Sequence, residues 1–218
     1  MRRTLLKNRI FLLPYALLFC AACFIIGLTD KIQLHQYFNS LLRPSLNGFF
    51  EYITYLGDGI FVVAAGVLLL ILNVRKGLTT LLAYGLSAGF TQGIKYAFFA
   101  DVDRPELLFE KNHLPLKLVE GVDINIHNSF PSGHATAAFA LFFCLSFLSE
   151  KVSSKIIFFL IALTVAFSRV YLSQHFLEDI TAGSFIAVCF SSLVCWFFYF
   201  SKASEKFDKL DKPLYRLF

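Results

Sequence analysis

Three short clusters of ionisable residues stand out in this sequence because of where they lie. In chain order they are Lys95 with Arg104-Pro105, then Pro131-Ser132-Gly133-His134, then Ser168-Arg169 with His175 and Asp179. Each cluster lies at the end of a long apolar stretch, where an ionisable side chain is costly to keep unless it is used. If the apolar stretches bring these ends together, the clusters predict one functional pocket.

The cationic residues and the backbone of the second cluster suit an anion. Lys95, Arg104 and Arg169 carry fixed positive charge, and guanidinium groups bind phosphate oxygens through paired N–H bonds. Ser132 and Gly133 precede an apolar stretch and predict a helix start, where the free backbone N–H groups of the first turn point at a bound anion. Ser132 is equally suited to be the N-cap of that helix. The combination predicts a phosphate-binding pocket.

The histidines of the second and third clusters add reactivity. His175 and Asp179 are four residues apart, so they share one face at a helix start. A carboxylate bonded to one ring nitrogen fixes the tautomer and leaves the other nitrogen as a nucleophile. His134, at the start of a different helix, is placed to protonate a departing oxygen. These groups predict phosphoryl transfer that relies on cationic side chains instead of a metal ion.

The second and third clusters resemble two signature motifs of the type 2 phosphatidic acid phosphatase (PAP2) superfamily. Pro131-Ser132-Gly133-His134 matches the second motif. Ser168-Arg169, five residues, His175, three residues and Asp179 match the third motif at every fixed position. The first motif departs from the family pattern, because eight residues lie between Lys95 and Arg104 where the family usually has six. The resemblance covers roughly residues 85–190.

The resemblance implies a role for each residue. It implies that His175 is the nucleophile that forms a phosphohistidine, that Asp179 and not the neighbouring Glu178 orients it, and that His134 is the leaving-group acid. It also implies an enzyme without metal or other cofactor. The resemblance further implies that phosphate is bound by Lys95, Arg104, Ser132, Gly133 and Arg169.

The composition predicts that membrane helices position these residues. Hydrophobic residues make up 57% of the 218 residues and charged residues only 16%, against about 45–50% and about 25% in soluble domains. Twenty-seven residues are Phe, more large apolar side chains than a single soluble core of this size could bury. These values exclude a disordered chain or a coiled coil, and the basic residues form no stripe suited to nucleic acid.

We therefore predict an all-α, polytopic membrane protein with six transmembrane helices in one domain, residues 1–218. An amphipathic helix over 31–50, with Leu34 and Phe38 at helical spacing, is predicted to lie on the membrane surface with His35 at the interface. Phe142-Phe143 is predicted to face lipid, and residues 202–218 to form a tail. The six predicted spans are 10–29, 53–73, 77–99, 134–149, 154–172 and 176–200.

The distribution of basic residues predicts the orientation. An even number of spans places both termini on one side, and that side holds 13 of the 20 Lys and Arg residues when the turns at 73–77 and 149–155 are included. The positive-inside rule then places both termini in the cytoplasm and the three clusters at the outer face of the plasma (inner) membrane. The loop over 100–133 also faces outward. Its His113, His127, Asp103 and Asp123 show no recurring metal-ligand spacing, so a solvated loop at the mouth of the pocket is predicted.

A lipid phosphatase is the function that these predictions favour, with a phosphorylated lipid as substrate and no obligatory protein partner. Among substrates that the resemblance implies, undecaprenyl pyrophosphate and phosphatidylglycerol phosphate rank first, followed by lipid A phosphate. Two alternatives remain. A phosphotransferase would pass the phosphate to an acceptor other than water, and a binding or transport protein would hold a lipid phosphate without chemistry.

Overall fold

A computed structural model describes residues 1–122 and 125–216, and every regular element in these ranges is a helix. The tail contains only short helical turns after Phe200. The helices are α1 (Arg2–Lys7), α2 (Arg9–Leu28), α3 (Lys31–Ser40), α4 (Pro44–Ile53), a 3-10 turn (Thr54–Gly57), α5 (Gly59–Leu72), α6 (Val74–Phe98), α7 (Pro105–Lys111), α8 (Gly133–Leu148), α9 (Val152–Tyr171), α10 (Leu177–Phe200) and α11 (Ser204–Phe207).

Six of these helices run in alternating directions between two ends of the molecule, namely α2, α5, α6, α8, α9 and α10. At one end, Lys7 before α2 pairs with Glu150 between α8 and α9, and Arg75 at the start of α6 pairs with Asp208 of the tail. At the other end, the last turn of α6, the last turn of α9 and the first turn of α10 lie together. The two described chain ends therefore lie together at one end of the bundle, and the three predicted clusters lie at the other end.

By length and apolarity, three of the described helices qualify as membrane spans on their own: α2, α9 and α10. The segment from Pro44 to Gly57 and helix α5 qualify together as a fourth, bent by 54° at the break between them. Helix α8 is apolar but has only 16 residues, and α6 has 25 residues of mixed polarity. Within the described residues the protein is all-helical, with several apolar helices.

Helix α8 lies at the centre of the bundle. Small side chains such as Ala135 and Ala138 near its start let α6, α9 and α10 approach closely, and large rings follow toward its end. A helix that is apolar on every face can lie in the protein interior or face lipid, and most side chains of α8 are buried among the neighbouring helices. The prediction that Phe142-Phe143 faces lipid was therefore wrong, because these side chains are 5% and 0% exposed.

The predicted surface helix over 31–50 is in fact two helices. The break is at Arg43, which has extended backbone, and Pro44 starts α4. Proline restricts the residue before it to extended conformations, so a helix could not continue through Arg43. Helix α3 packs against the molecule instead of lying free at an interface. His35 is only 2% exposed, which contradicts its predicted interfacial position.

The tail folds back onto the bundle at the end opposite the clusters. The Arg75 guanidinium donates to Asp208 and Asp211, each at 2.7 Å, and to the backbone carbonyl of Phe198. It also stacks over the Tyr199 ring, 4.3 Å from the centroid. This buried arginine fixes the end of α10 and the tail against the start of α6.

Candidate active site

His175 and Asp179 meet at the start of α10. Nδ1 of His175 lies 3.2 Å from Oδ2 of Asp179, and both side chains are buried. The same Oδ2 accepts the Phe176 N–H at 2.9 Å and the Ser129 hydroxyl at 2.5 Å. A carboxylate held in this way favours the proton on Nδ1 and leaves Nε2 as the basic nitrogen. Glu178 is directed elsewhere, with its Oε1 3.7 Å from Nζ of Lys31.

Burial sets the charge state of His175. The ring lies in the loop between α9 and α10 and is 2% exposed. Burial, followed by the charges of Arg104, Arg169 and Lys95, holds the pKa of His175 well below its ordinary value of 6.5. At neutral pH the imidazole is therefore uncharged, and its contact with Asp179 is a hydrogen bond. A neutral imidazole has the lone pair that a nucleophile needs.

The turn that carries Pro131 to His134 is packed directly against α10. Ser132 caps α8, its Oγ accepting the Ala135 N–H at 3.4 Å, and its own N–H donates to the Asp179 carbonyl at 3.0 Å. A Cβ atom on Gly183 would lie only 2.5 Å from the Ser132 carbonyl oxygen. In this arrangement Ser132 holds the turn together, and the following N–H groups, beginning with Gly133, remain the candidates for phosphate binding.

Lys95 and Arg104 lie together despite the long spacing between them. Helix α6 ends at Phe98 and α7 begins at Pro105, so the connecting loop absorbs the extra residues. Lys95 Nζ donates to the Asn128 carbonyl at 2.8 Å, and Arg104 Nε donates to the His127 carbonyl at 2.8 Å. Both cations line a cavity of about 400 Å³ with residues 125–128.

Arg169 and His134 line a second cavity, of about 200 Å³. Arg169 is held by Thr54, whose Oγ1 accepts from Nη1 at 2.8 Å. The cavity walls also include Glu51, Asp58 and Gln174. His175 lines neither cavity. The neighbouring Gln174 connects the two cavities. It lines the second one, and its side-chain and backbone oxygens lie 3.1 and 3.2 Å from Nη1 of Arg104, which lines the first.

Several residues of this site were missed by sequence reasoning. Ser129 binds Asp179, Thr54 holds Arg169, and Gln174 binds Arg104. Gln174 and Ser173 lie inside the third motif, at positions that the motif leaves variable. Ser129 and Thr54 have no local signal, because their roles depend on which helix ends meet. His35 also belongs here, since its Nε2 lies 3.1 Å from Oγ of Ser173.

Some of the other described ionisable residues of the 100–133 loop contact one another in pairs. Asp103 lies 2.6 Å from Nζ of Lys111 and 3.4 Å from Nδ1 of His127. Within residues 1–122 and 125–216 there is no group of three or more His, Cys, Asp or Glu arranged to hold a metal ion. Asp123, which the sequence placed in the same loop, lies outside the described residues.

Two solved structures resemble this chain. A crystal structure of Aquifex aeolicus LpxE is 28% identical, with a TM-score of 0.66, and the match covers 75% of this chain and 93% of that one. A crystal structure described as the first transmembrane PAP2 type phosphatidylglycerolphosphate phosphatase from Bacillus subtilis is 22% identical, with a TM-score of 0.58, and covers 90% and 98%. The second likeness shows a shared fold. No curated protein sequence matches significantly.

The family model supplies the remaining evidence. The model of the PAP2 superfamily matches residues 76–203, more than half of the chain, and this range contains all three clusters. The family match supports a hydrolase that acts as a phosphatase. The chain belongs to the PAP2 superfamily, as the three clusters of its sequence predicted.

Proposed function

We propose that this protein removes phosphate from a phosphorylated lipid at the outer face of the plasma membrane, through a phosphohistidine on His175. The observation that carries the proposal is the buried, neutral His175, hydrogen-bonded to Asp179 and surrounded by Lys95, Arg104 and Arg169. A phosphate placed against Nε2 would meet three cations, which stabilise the charge of the transferring group.

Two steps follow from this arrangement. The Nε2 lone pair of His175 attacks phosphorus, the bond from phosphorus to the lipid oxygen breaks, and His134 donates a proton to that oxygen. Water then attacks the phosphohistidine, the P–N bond breaks, and His134 takes the proton of the water. Throughout both steps, Nδ1–H of His175 donates its hydrogen bond to Asp179, and this carboxylate stabilises the ring as it becomes positive.

The orientation belongs to the same proposal. Six helices cross the membrane, both termini lie in the cytoplasm, and the site opens on the outer side where a lipid headgroup lies. The basic side chains concentrate at the end that carries the termini, as the positive-inside rule requires. The substrates considered are phosphatidylglycerol phosphate, undecaprenyl pyrophosphate and lipid A phosphate.

The test is phosphate release from these lipids in detergent with EDTA present. We expect release by the wild type and none above background by His175→Ala. Asp179→Asn should lose about a thousandfold or more in kcat, because the wrong tautomer is favoured. Glu178→Gln is the matched control, since the neighbouring carboxylate binds Lys31, and it should retain activity. Release that survives in His175→Ala would refute the phosphohistidine.

The same assay separates hydrolysis from transfer. Free phosphate that accounts for all the lipid consumed supports a hydrolase. A phosphorylated acceptor in place of free phosphate would instead support the transferase alternative.

A further inference from the structure

The second cavity of the site contains two carboxylates beside the general acid. Glu51 of α4 and Asp58, which precedes α5, line the same 200 Å³ space as His134 and Arg169. Both side chains are only partly exposed. The proposed mechanism places the leaving oxygen at His134, so whatever the lipid carries beyond that oxygen enters this space.

Neither carboxylate is neutralised by an ion pair with another described residue. Asp58 caps α5, with Oδ1 accepting the Ile60 N–H at 2.7 Å, which still leaves its second oxygen for other donors. Glu51 lies on α4 and Asp58 follows the 3-10 turn after it, and both line the same cavity. Among the described residues of this wall Arg169 is the one cation; it donates to Thr54, and it faces two carboxylates, the charge of Asp58 acting on it directly.

The cavity therefore differs in charge from the one that Lys95 and Arg104 line. Carboxylates accept hydrogen bonds from hydroxyl and N–H groups and repel anions. A glycerol or sugar headgroup offers such donors. A lipid diphosphate does not, because its leaving group is itself a lipid phosphate, which would bring negative charge against Glu51 and Asp58.

We infer that Glu51 and Asp58 select the leaving group, favouring phosphate monoesters on hydroxyl- or N–H-bearing headgroups and disfavouring lipid diphosphates. This inference rests on the proposed function, because it takes His134 as the leaving-group acid. It assigns a specificity role to two residues that lie outside the three clusters. It also divides the proposed substrates into a preferred and a disfavoured class.

The experiment compares three substrates in detergent micelles: phosphatidylglycerol phosphate, which has a glycerol headgroup, phosphatidic acid, whose leaving group has no free hydroxyl, and undecaprenyl diphosphate. The wild type should show the highest kcat/KM with the first and the lowest with the last. In Glu51→Gln and Asp58→Asn we expect kcat/KM for the diphosphate to rise about tenfold as one repelling charge is removed, and kcat/KM for the glycerol headgroup to fall. Asparagine keeps the helix cap at position 58.

Glu110→Gln serves as the matched control, because Glu110 is an exposed carboxylate on α7 that does not line the cavity. It should leave the substrate ranking unchanged. If Glu51→Gln and Asp58→Asn change all three substrates by the same factor, or if the wild type prefers the diphosphate, the selection by charge is wrong while the phosphatase remains. If His175→Ala still releases phosphate, the proposed function itself is wrong. Melting temperatures of all variants exclude misfolding as the cause.

Discussion

A single oxygen organises the chemical centre of this site. Asp179 Oδ2 receives the His175 ring, the Ser129 hydroxyl and the Phe176 N–H, whereas Oδ1 is buried without a partner among the described residues. Concentrating three donors on one oxygen fixes the carboxylate, and through it the ring, more tightly than the histidine contact alone would. The side chain of Ser129 therefore contributes to positioning the nucleophile.

The charge around His175 should appear in the pH dependence of the reaction. In the proposed mechanism the neutral imidazole is the reactive form, and its pKa lies well below 6.5, so the acid limb of kcat/KM should lie below pH 6.5. Arg104→Gln removes a nearby positive charge, makes protonation of the ring easier and should move that limb to higher pH. Steady-state rates across pH 4 to 8 measure the shift.

The control for that profile is Lys111→Gln, which removes an exposed cation of the same loop region. It should leave the acid limb in place. A limb that stays fixed in Arg104→Gln, or that moves to lower pH, would contradict the electrostatic account of His175.

Residue type and spacing alone were enough to predict that His175 and Asp179 meet, because they are four residues apart and need no tertiary information to do so. Lys95 and Arg104 also lie within one short stretch of chain, so their proximity could be predicted from the sequence. Ser129, Thr54 and Gln174 could not be found in this way, since each binds a residue from another segment. The N-cap reading of Ser132 was open in the sequence, and the structure shows that contact.

At the scale of the helices, the segment before α5 departs most from its prediction. Pro44 was readable as a helix break, but the burial of His35 was not, because it depends on Phe109 of α7 and on Phe176 beside the nucleophile. His35 and Asn39 both reach Ser173, which has a positive φ of 53° that a serine rarely adopts. Helix α3 thereby supports the loop that ends in His175.

Replacing His35 should therefore affect catalysis from outside the phosphate pocket. Burial lowers the pKa of His35 to about 4, so the ring is neutral at pH 7 and acts as a hydrogen-bonding support. His35→Ala should lower kcat about tenfold with little change in KM, which corresponds to one lost buried hydrogen bond. His35→Gln, which can still reach Ser173, should recover part of that loss.

The comparison for His35 is Gln33→Ala, an exposed position on the same helix. It should leave kcat unchanged. Equal losses in the Ala and Gln variants of His35, or a change in KM alone, would argue against a positioning role.

The close contact between α10 and the Ser132 turn gives a second test at this scale. Gly183→Ala places a Cβ only 2.5 Å from the Ser132 carbonyl oxygen, so it should push the two helix starts apart. We expect a lower melting temperature in detergent and at least a tenfold loss of activity. That rate loss corresponds to about 1.4 kcal/mol in the activation free energy.

Gly85→Ala, in α6, has nothing within 4 Å of the new Cβ. Because alanine favours helix over glycine, this variant should be as stable as the wild type or slightly more stable, by about 0.4–1 kcal/mol. If both glycine variants behave alike, the contact at Gly183 has no special importance.

For the whole molecule, the two ends of the bundle make the orientation testable. In a variant without native cysteines, a single cysteine at Glu110 should react with a membrane-impermeant maleimide in intact spheroplasts. A cysteine at Lys209, in the exposed part of the tail, should react only after permeabilisation. Both positions reacting without permeabilisation would mean that the chain crosses the membrane an even number of times between residues 110 and 209, which contradicts the three crossings by α8, α9 and α10.

Composition predicted the class of the whole molecule, because an excess of apolar side chains and a shortage of charge leave few alternatives to a membrane bundle. It could not predict which helix is central. The sequence of helix α8 is typical of a lipid-facing segment. Only its packing among α6, α9 and α10 shows that its Phe side chains fill the interior. Apolar periodicity cannot separate the two cases where lipid and protein interior are equally apolar.

The backbone of Ser132 contacts Gly183, and this contact separates the residues of the site into a part that must change together and parts that can change independently. The proposed nucleophile, its carboxylate and the proposed acid lie at two helix starts that are in direct contact, so a change in one would disturb the other. Lys95 and Arg104, by contrast, are held by the carbonyls of a loop, and Glu51 and Asp58 lie on a separate segment. The reaction can thus be inherited as one unit while loops and flanking helices are replaced, and new lipid headgroups become accessible without rebuilding the chemistry.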